Sequence, residues 1–277
     1  MEKKALVINP RAVYMCNPAF GGEVDDEGWY GHVVTVLSQP AEDWYQIRTP
    51  YDYETYACGK DLLLDQGEVA RAEAAKLSRI WHPAADVQTK SDCTSGVLIT
   101  LFRGAVVEPI QPEEGEEVKP GWTKVRLFGG QTGFVRDHFL GEYFKERALG
   151  EEELRESVVK LALSYLGVQY RWGGKTPEGI DCSGLVGAAY LMYGVKLYRN
   201  ASIAQGFAAH SIQRENMKKG DLLFFKGHVA MYIGEGRYVH STSRIGADGV
   251  VINSLCPGDA LYRADLANGV LDVGSVF

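Results

Sequence analysis

The rhythm of apolar and polar positions changes near residue 150. Before it, short runs rich in β-branched and aromatic residues recur between turn residues: Ala5-Leu6-Val7-Ile8, His32-Val33-Val34-Thr35-Val36-Leu37, Trp44-Tyr45-Gln46-Ile47-Arg48, Val97-Leu98-Ile99-Thr100-Leu101-Phe102 and Trp122-Thr123-Lys124-Val125-Arg126. Strands of that length and spacing predict small antiparallel barrels. Two runs repeat in order. Trp44-x-x-Ile47-Arg48 returns 78 positions later as Trp122-x-x-Val125-Arg126, each after a Val-rich strand and an acidic loop and before an aromatic strand, Tyr53–Ala57 or Gln131–Val135. The repeat predicts two copies of one β-barrel. Between them Glu68–Leu77 is rich in strong helix formers with little apolar face, which suits a short connecting helix.

After Gly150, Leu154, Val158, Leu161 and Tyr165 fall at helical spacing, with Glu151–Glu153 at the favourable end of the helix dipole and Gly167 placed to stop it. A second helix is predicted over Ser183–Tyr193, closed by Gly194. Strands follow at Asp221–Phe225, His228–Ile233 and Arg237–Ser241, the last two joined by Gly234-Glu235-Gly236. Helices followed by an antiparallel sheet make this segment α+β. The expected organisation is a first module at 1–66, a helical linker at 67–82, a second module at 83–145 and a separate domain at 150–277.

Composition narrows the function. With 45% hydrophobic and 23% charged residues the chain is an ordinary folded protein, and 277 residues exceed one domain on a prior of roughly 150 each. A net charge of −7, from 29 basic and 36 acidic residues, argues against a nucleic-acid partner. The uncharged stretch Cys182–Val195 is only 14 residues long and includes three Gly, so no membrane span is expected. The apolar run at the N-terminus is four residues, short of a secretory signal, which predicts a cytoplasmic location. Five cysteines at 16, 58, 93, 182 and 256, without any C-x-x-C, read as reduced thiols, with no metal site and no cofactor.

One cysteine stands apart. Asp181-Cys182-Ser183-Gly184 combines helix-cap residues with a following apolar pattern, so Cys182 sits at a helix N-terminus, where unpaired N–H groups and the dipole favour a nucleophilic thiolate. Such a nucleophile needs a base, and the base an orienting group. If Gly234-Glu235-Gly236 is a three-residue hairpin loop, His240 opposes Ala230 and becomes the diagonal neighbour of His228 on one sheet face; a two-residue loop would separate them. His32, His82, His138 and His210, and Cys16, Cys58, Cys93 and Cys256, read as ordinary packing or surface residues.

Tyr170-Arg171-Trp172-Gly173-Gly174, Asp181–Val186, Arg199-Asn200-Ala201-Ser202-Ile203-Ala204-Gln205, Gly220–Phe225, His228–Ile233 and Tyr238-Val239-His240-Ser241 occur in the order found in NlpC-type cysteine peptidases, papain-like enzymes that cut murein peptides. The resemblance covers about residues 150–256. It implies Cys182 as nucleophile, His228 as general base, His240 as its orienting partner, and Tyr170 beside the developing oxyanion. The N-terminal copies resemble bacterial SH3-like modules. The fold implied is thus multidomain, two all-β SH3-like barrels followed by an α+β papain-like catalytic domain.

That combination resembles the murein-recycling γ-D-glutamyl-L-diamino-acid endopeptidases, which require a free N-terminal L-Ala. The resemblance implies a murein tripeptide or tetrapeptide substrate, with Asp181, Ser183 and Ser202 binding its amine and backbone and Tyr53 of the first module closing the pocket. Asp181 serves equally as a helix cap. The chain departs from the family at Tyr30-Gly31-His32, where a carboxylate often follows Tyr-Gly, so amine recognition falls to Asp181 or to Glu23, Asp25 or Asp26. Arg199-Asn200 replaces Arg-Asp. Competing readings are a general murein endopeptidase tethered by its SH3-like modules, a papain-like acyltransferase or amidase, and a non-catalytic scaffold.

Overall fold

The computed structural model describes residues 2–277, and the chain divides into two compact units, Met1–Tyr143 and Phe144–Phe277. The first unit opens with β1 (Lys4–Val7), β2 (Arg11–Met15), β3 (Val24–Trp29), β4 (Val33–Ala41), β5 (Trp44–Arg48), β6 (Glu54–Cys58) and β7 (Leu62–Leu63). After α1 (Gln66–Ala74) come β8 (Ser78–Ile80), β9 (Ala84–Gln88), β10 (Val97–Phe102), β11 (Val106–Pro109), β12 (Trp122–Arg126), β13 (Thr132–Arg136) and β14 (Leu140–Glu142). One sheet runs β3-β2-β6-β5-β4-β1-β7 and the other β10-β9-β13-β12-β11-β8-β14, the same order displaced by seven strands. The sequence repeat is therefore a repeat of topology. The two tryptophan-headed strands, β5 and β12, pair in like manner with β6 and β13, Trp44 opposite Cys58 and Trp122 opposite Arg136.

Residues 67–82 are more than a linker. β8 lies inside that range and sits between β11 and β14, the place that Lys4–Val7 takes between β4 and β7 in the first copy. The helix also joins the copies. Val69 and Ala72 are buried among Leu6 and Tyr30 of the first sheet and Ile80, Val106, Val125 and Phe128 of the second. Glu73 of α1 pairs with Lys4 at 2.6 Å, while Glu68 takes both terminal nitrogens of Arg126 and holds its own carboxyl down to about 2. Tyr30 contributes its carbonyl to Val106 N–H at 3.0 Å and its hydroxyl to Phe128 N–H at 2.8 Å. Leu6 and Tyr30 of the first copy thus join the apolar cluster of the second, while Ala5, Val7, Ala12, Tyr14, Val34, Ile47, Ala57 and Leu62 form a cluster of the first copy's own.

The second unit begins with α2 (Glu151–Leu163), whose Leu154, Val158, Leu161 and Ala162 are buried as the helical spacing requires. It ends earlier than Gly167 suggests: the Ser164 hydroxyl donates to the Leu161 carbonyl at 2.6 Å and closes the last turn, and Gly167 N–H instead reaches Val250. A two-stranded ribbon, β15 (Lys175–Thr176) and β16 (Gly179–Ile180), leads into α3 (Cys182–Leu191). The remaining strands are β17 (His210–Ser211), β18 (Leu222–Phe225), β19 (His228–Gly234), β20 (Arg237–Thr242) and β21 (Gly249–Ser254), then a short α4 (Ala264–Ala267) and β22 (Asp272–Ser275). They form one sheet in the order β17-β22-β18-β19-β20-β21. Its centre matches the three predicted strands, and β17, β21 and β22 extend both edges.

Leu185, Ala188 and Ala189 of α3 are fully buried, as expected of a helix that is apolar on nearly every face and packs on β19 and β20. Arg155 of α2, also buried, pairs with the fully buried Asp221 ahead of β18 at 2.8 Å and pins the helix to the sheet. Among the described residues, no helix is long and apolar enough to cross a membrane.

Candidate active site

Three local devices fix Cys182 at the first position of α3. Asp181 has extended backbone (φ −90°, ψ −179°), and its carboxylate accepts the Gly184 N–H at 2.6 Å, the N-cap geometry that stops the chain from being helical one residue earlier. Gly184 is required by close approach, because a Cβ there would lie 2.1 Å from the Gly174 carbonyl oxygen. Ser241 of β20 donates to the Ile180 carbonyl at 2.6 Å and ties the incoming strand to the sheet. Cys182 is 7% exposed, and the N–H groups of Ser183 and of Val229, the second residue of β19, point at its sulfur.

The hairpin between β19 and β20 sets the histidines. Its loop residues Gly234, Glu235 and Gly236 all have positive φ, 98°, 53° and 72°. In the body of the strands Met231 faces Val239 and Tyr232 faces Tyr238, the register of a three-residue loop. His228 and His240 are then diagonal neighbours on one face, and Nε2 of His228 lies 2.8 Å from Nδ1 of His240. His240 has no exposed surface.

Electrostatics here differ from what the helix end alone suggests. Burial, followed by the Asp181 carboxylate, raises the Cys182 thiol above its usual value, and the N–H groups and Arg199 only partly oppose this. Burial, then His240 and Arg263, push His228 down to about 3; burial and Arg263 bring His240 to about 4 against the contrary pull of its hydrogen bond to Asn253. The resting site is a neutral thiol beside neutral imidazoles, in which the base is available without being charged. Because a lowered pKa keeps His228 unprotonated far below the ordinary imidazole value of about 6.5, the acid limb of kcat/KM is expected below pH 5. A limb centred between pH 6 and 7 would contradict this assignment of charge.

The expected substrate-binding residues are distributed differently. Asp181 is 6% exposed and is engaged by Gly173 N–H at 2.9 Å, Gly184 N–H, the Ser183 hydroxyl at 3.1 Å and both terminal nitrogens of Arg199, the nearer at 2.8 Å. Ser183 in turn accepts from Arg199 at 2.8 Å. Asp181 thus caps α3 and is paired with a buried guanidinium. Asp181→Ala is expected to destabilise the protein by about 3–5 kcal/mol in denaturant unfolding by removing the carboxylate partner of a buried guanidinium; a loss below about 1 kcal/mol would show that the pair is not structural.

Tyr170, half-buried and bridged to Ile180, has its phenol disfavoured from ionising by burial and then by Cys182, which places its ring near the thiol. Ser202 is exposed on the irregular segment after Arg199. Tyr53 belongs to the N-terminal unit, where its hydroxyl donates to Asp25 at 2.7 Å. Of the other acids considered there, Glu23 is exposed and Asp26 is fully buried against the Tyr51 hydroxyl. His32 is buried edge-on to Trp29, ring centres 5.3 Å apart.

Two residues near the chemistry receive no role from sequence reading. Arg199 carries the Asp181 network. Asn253, on β21, places Oδ1 2.9 Å from Nε2 of His240 and donates its amide to the Leu261 carbonyl at 3.1 Å. A polar residue ending the apolar run Val250-Val251-Ile252 was the available signal, but it becomes meaningful only once that run is placed beside β20, with Val251 opposite His240.

Comparison with known proteins agrees with the geometry. Residues 167–260 match the model of the NlpC/P60 family. A dipeptidyl-peptidase 6 of Lysinibacillus sphaericus is 38% identical over 99% of both chains. A γ-D-glutamyl-L-lysine dipeptidyl-peptidase of Bacillus cereus is 31% identical over 126 residues, 43% of this chain and 37% of that one. An NlpC/P60 family protein of known structure from Bacillus cereus superposes with a TM-score of 0.75 over 98% of both chains at 17% identity, a likeness of fold. With a cysteine at a helix start, its sulfur met by the N–H of the residue after His228, and a relative matched from end to end, the chain belongs to the NlpC/P60 family of cysteine peptidases.

Proposed function

We propose that the protein hydrolyses the γ-D-Glu–diamino-acid bond of murein peptides bearing a free N-terminal L-Ala, releasing the N-terminal dipeptide in the cytoplasmic recycling of cell-wall peptides. The observation that carries this reading is the end-to-end relative named a dipeptidyl-peptidase, together with the partial relative whose name specifies a γ-D-glutamyl bond.

In the proposed reaction Cys182 Sγ attacks the γ-carbonyl carbon of D-Glu. His228 Nε2 is engaged with His240, so Nδ1 is the nitrogen left to take the thiol proton. The tetrahedral oxyanion forms where the Cys182 N–H and Tyr170 can donate, and each preorganised donor of this kind is worth about 3–4 kcal/mol of barrier. Collapse expels the diamino-acid amine, which receives the proton from His228, and leaves a thioester on Cys182. Water, deprotonated by the same imidazole, then attacks the thioester, frees the dipeptide carboxylate and returns the proton to sulfur.

The proposal gives recognition of the substrate amine and backbone to Asp181, Ser183 and Ser202, all in the second unit. The test is cleavage of L-Ala-γ-D-Glu-meso-diaminopimelate and of its N-acetylated form, followed by mass spectrometry. Equal cleavage of both, or preference for intact murein, favours a general murein endopeptidase instead.

A further inference from the structure

We infer that Asn253 is a positioning residue that fixes the tautomers of both histidines and thereby decides which nitrogen of His228 is basic. The Leu261 carbonyl can only accept. The Asn253 group facing it at 3.1 Å must be the NH2 group, so the other side of the amide, 2.9 Å from His240 Nε2, is the carbonyl oxygen. An oxygen that only accepts requires the proton of His240 on Nε2. With that ring neutral, its Nδ1 carries a lone pair and needs a donor. The group 2.8 Å away is Nε2 of His228, which must therefore carry the proton of its own ring. His228 Nδ1 is left as a lone pair.

Two of the three hydrogen bonds, Asn253 to His240 and His240 to His228, run diagonally across β21, β20 and β19 between residues on the same sheet face, and the third leaves the sheet for the Leu261 carbonyl. It is directional throughout: Leu261 carbonyl, Asn253 amide, His240, His228. Reversing any member would set two donors or two lone pairs against each other inside the protein, since His240 is fully buried. When His228 accepts the thiol proton at Nδ1, its Nε2–H still donates to His240, so no partner reorients during the reaction.

This inference deepens the proposed mechanism and rests on its assignment of His228 as base, but its first test needs no substrate. In the full-length protein with 15N-labelled histidine, long-range proton–nitrogen correlation at pH 7 is expected to show both His228 and His240 neutral with the proton on Nε2. Finding His240 protonated on Nδ1 overturns the inference whatever the enzyme cleaves. The second test is Asn253→Leu, which removes the acceptor while keeping a similar volume. It is expected to lower kcat on the order of 10²-fold with little change in KM, and to turn the His240 resonances into a mixture of tautomers. Asn253→Asp, which retains an acceptor, is expected to restore the Nε2 tautomer and most of kcat. A folded Asn253→Leu protein with unchanged kcat and unchanged tautomers refutes it. If that variant does not fold, the wild-type spectrum and Asn253→Asp still decide the question.

Discussion

Cys182→Ala is expected to reduce turnover by roughly 10⁶-fold, the scale seen when the nucleophile of a cooperating triad is removed, while leaving the protein folded. The thiol is small and its surroundings are backbone N–H groups and packed side chains, so its loss removes one buried atom from a site otherwise held by Asp181, Gly184 and Ser241. Cys182→Ser is expected to be nearly as inactive, because a hydroxyl is a far weaker acid than a thiol and His228 is a weak base at about 3. Alkylation has to be read with care for site: Cys16, Cys93 and Cys256 are exposed and will react, whereas Cys182 is buried. Loss of activity should therefore follow the slow-reacting thiol that is missing from Cys182→Ser. Near-normal activity in Cys182→Ala, with an unchanged melting curve, would remove the nucleophile assignment.

The second large effect concerns the substrate's amino end. Blocking the free amine of the tripeptide by acetylation is expected to lower kcat/KM by roughly 30-fold to several thousand-fold, corresponding to the loss of about 2–5 kcal/mol when the charged partner of a buried ammonium is deleted. The loss should fall mainly on kcat/KM for the intact dipeptidyl end and should be insensitive to changes at the diamino acid. If the acetylated tripeptide is cleaved as fast as the free one, recognition of an N-terminus is not part of this enzyme.

Much of this was legible before any coordinates. The runs at 44–48, 97–102 and 122–126 are short, rich in β-branched and aromatic residues and bounded by turn residues, and the structure places strands over those same residues. The pairing of His228 with His240 was legible because a three-residue loop has one register, and register decides which side chains share a face. What escaped is nonlocal. Asn253 could not be placed because the strand carrying it was not recognised, so its diagonal relation to His240 had no frame. Arg199 looks like a motif residue in a loop, and only folding brings it to Asp181, 18 positions away. The raised thiol is likewise invisible in sequence, since a helix N-terminus is a local property and desolvation is not. β8 does not stand out from the linker because Ser78-Arg79-Ile80 is too short to show a period.

The shared interior of the N-terminal unit has a consequence for cooperativity. Repeats that touch only at a surface behave as separate foldons, and each can be lost or melted alone. Here Tyr30 of the first copy bonds the backbone of the second at two places, and α1 has side chains buried in the interior common to both. Removing residues 1–64 would therefore uncover the apolar partners of Leu6 and Tyr30 rather than subtract a module. Calorimetry of residues 2–143 should show one unfolding transition, not two. The duplication in the sequence is thus joined into one unit by α1, Leu6 and Tyr30, although the first copy keeps an apolar cluster of its own.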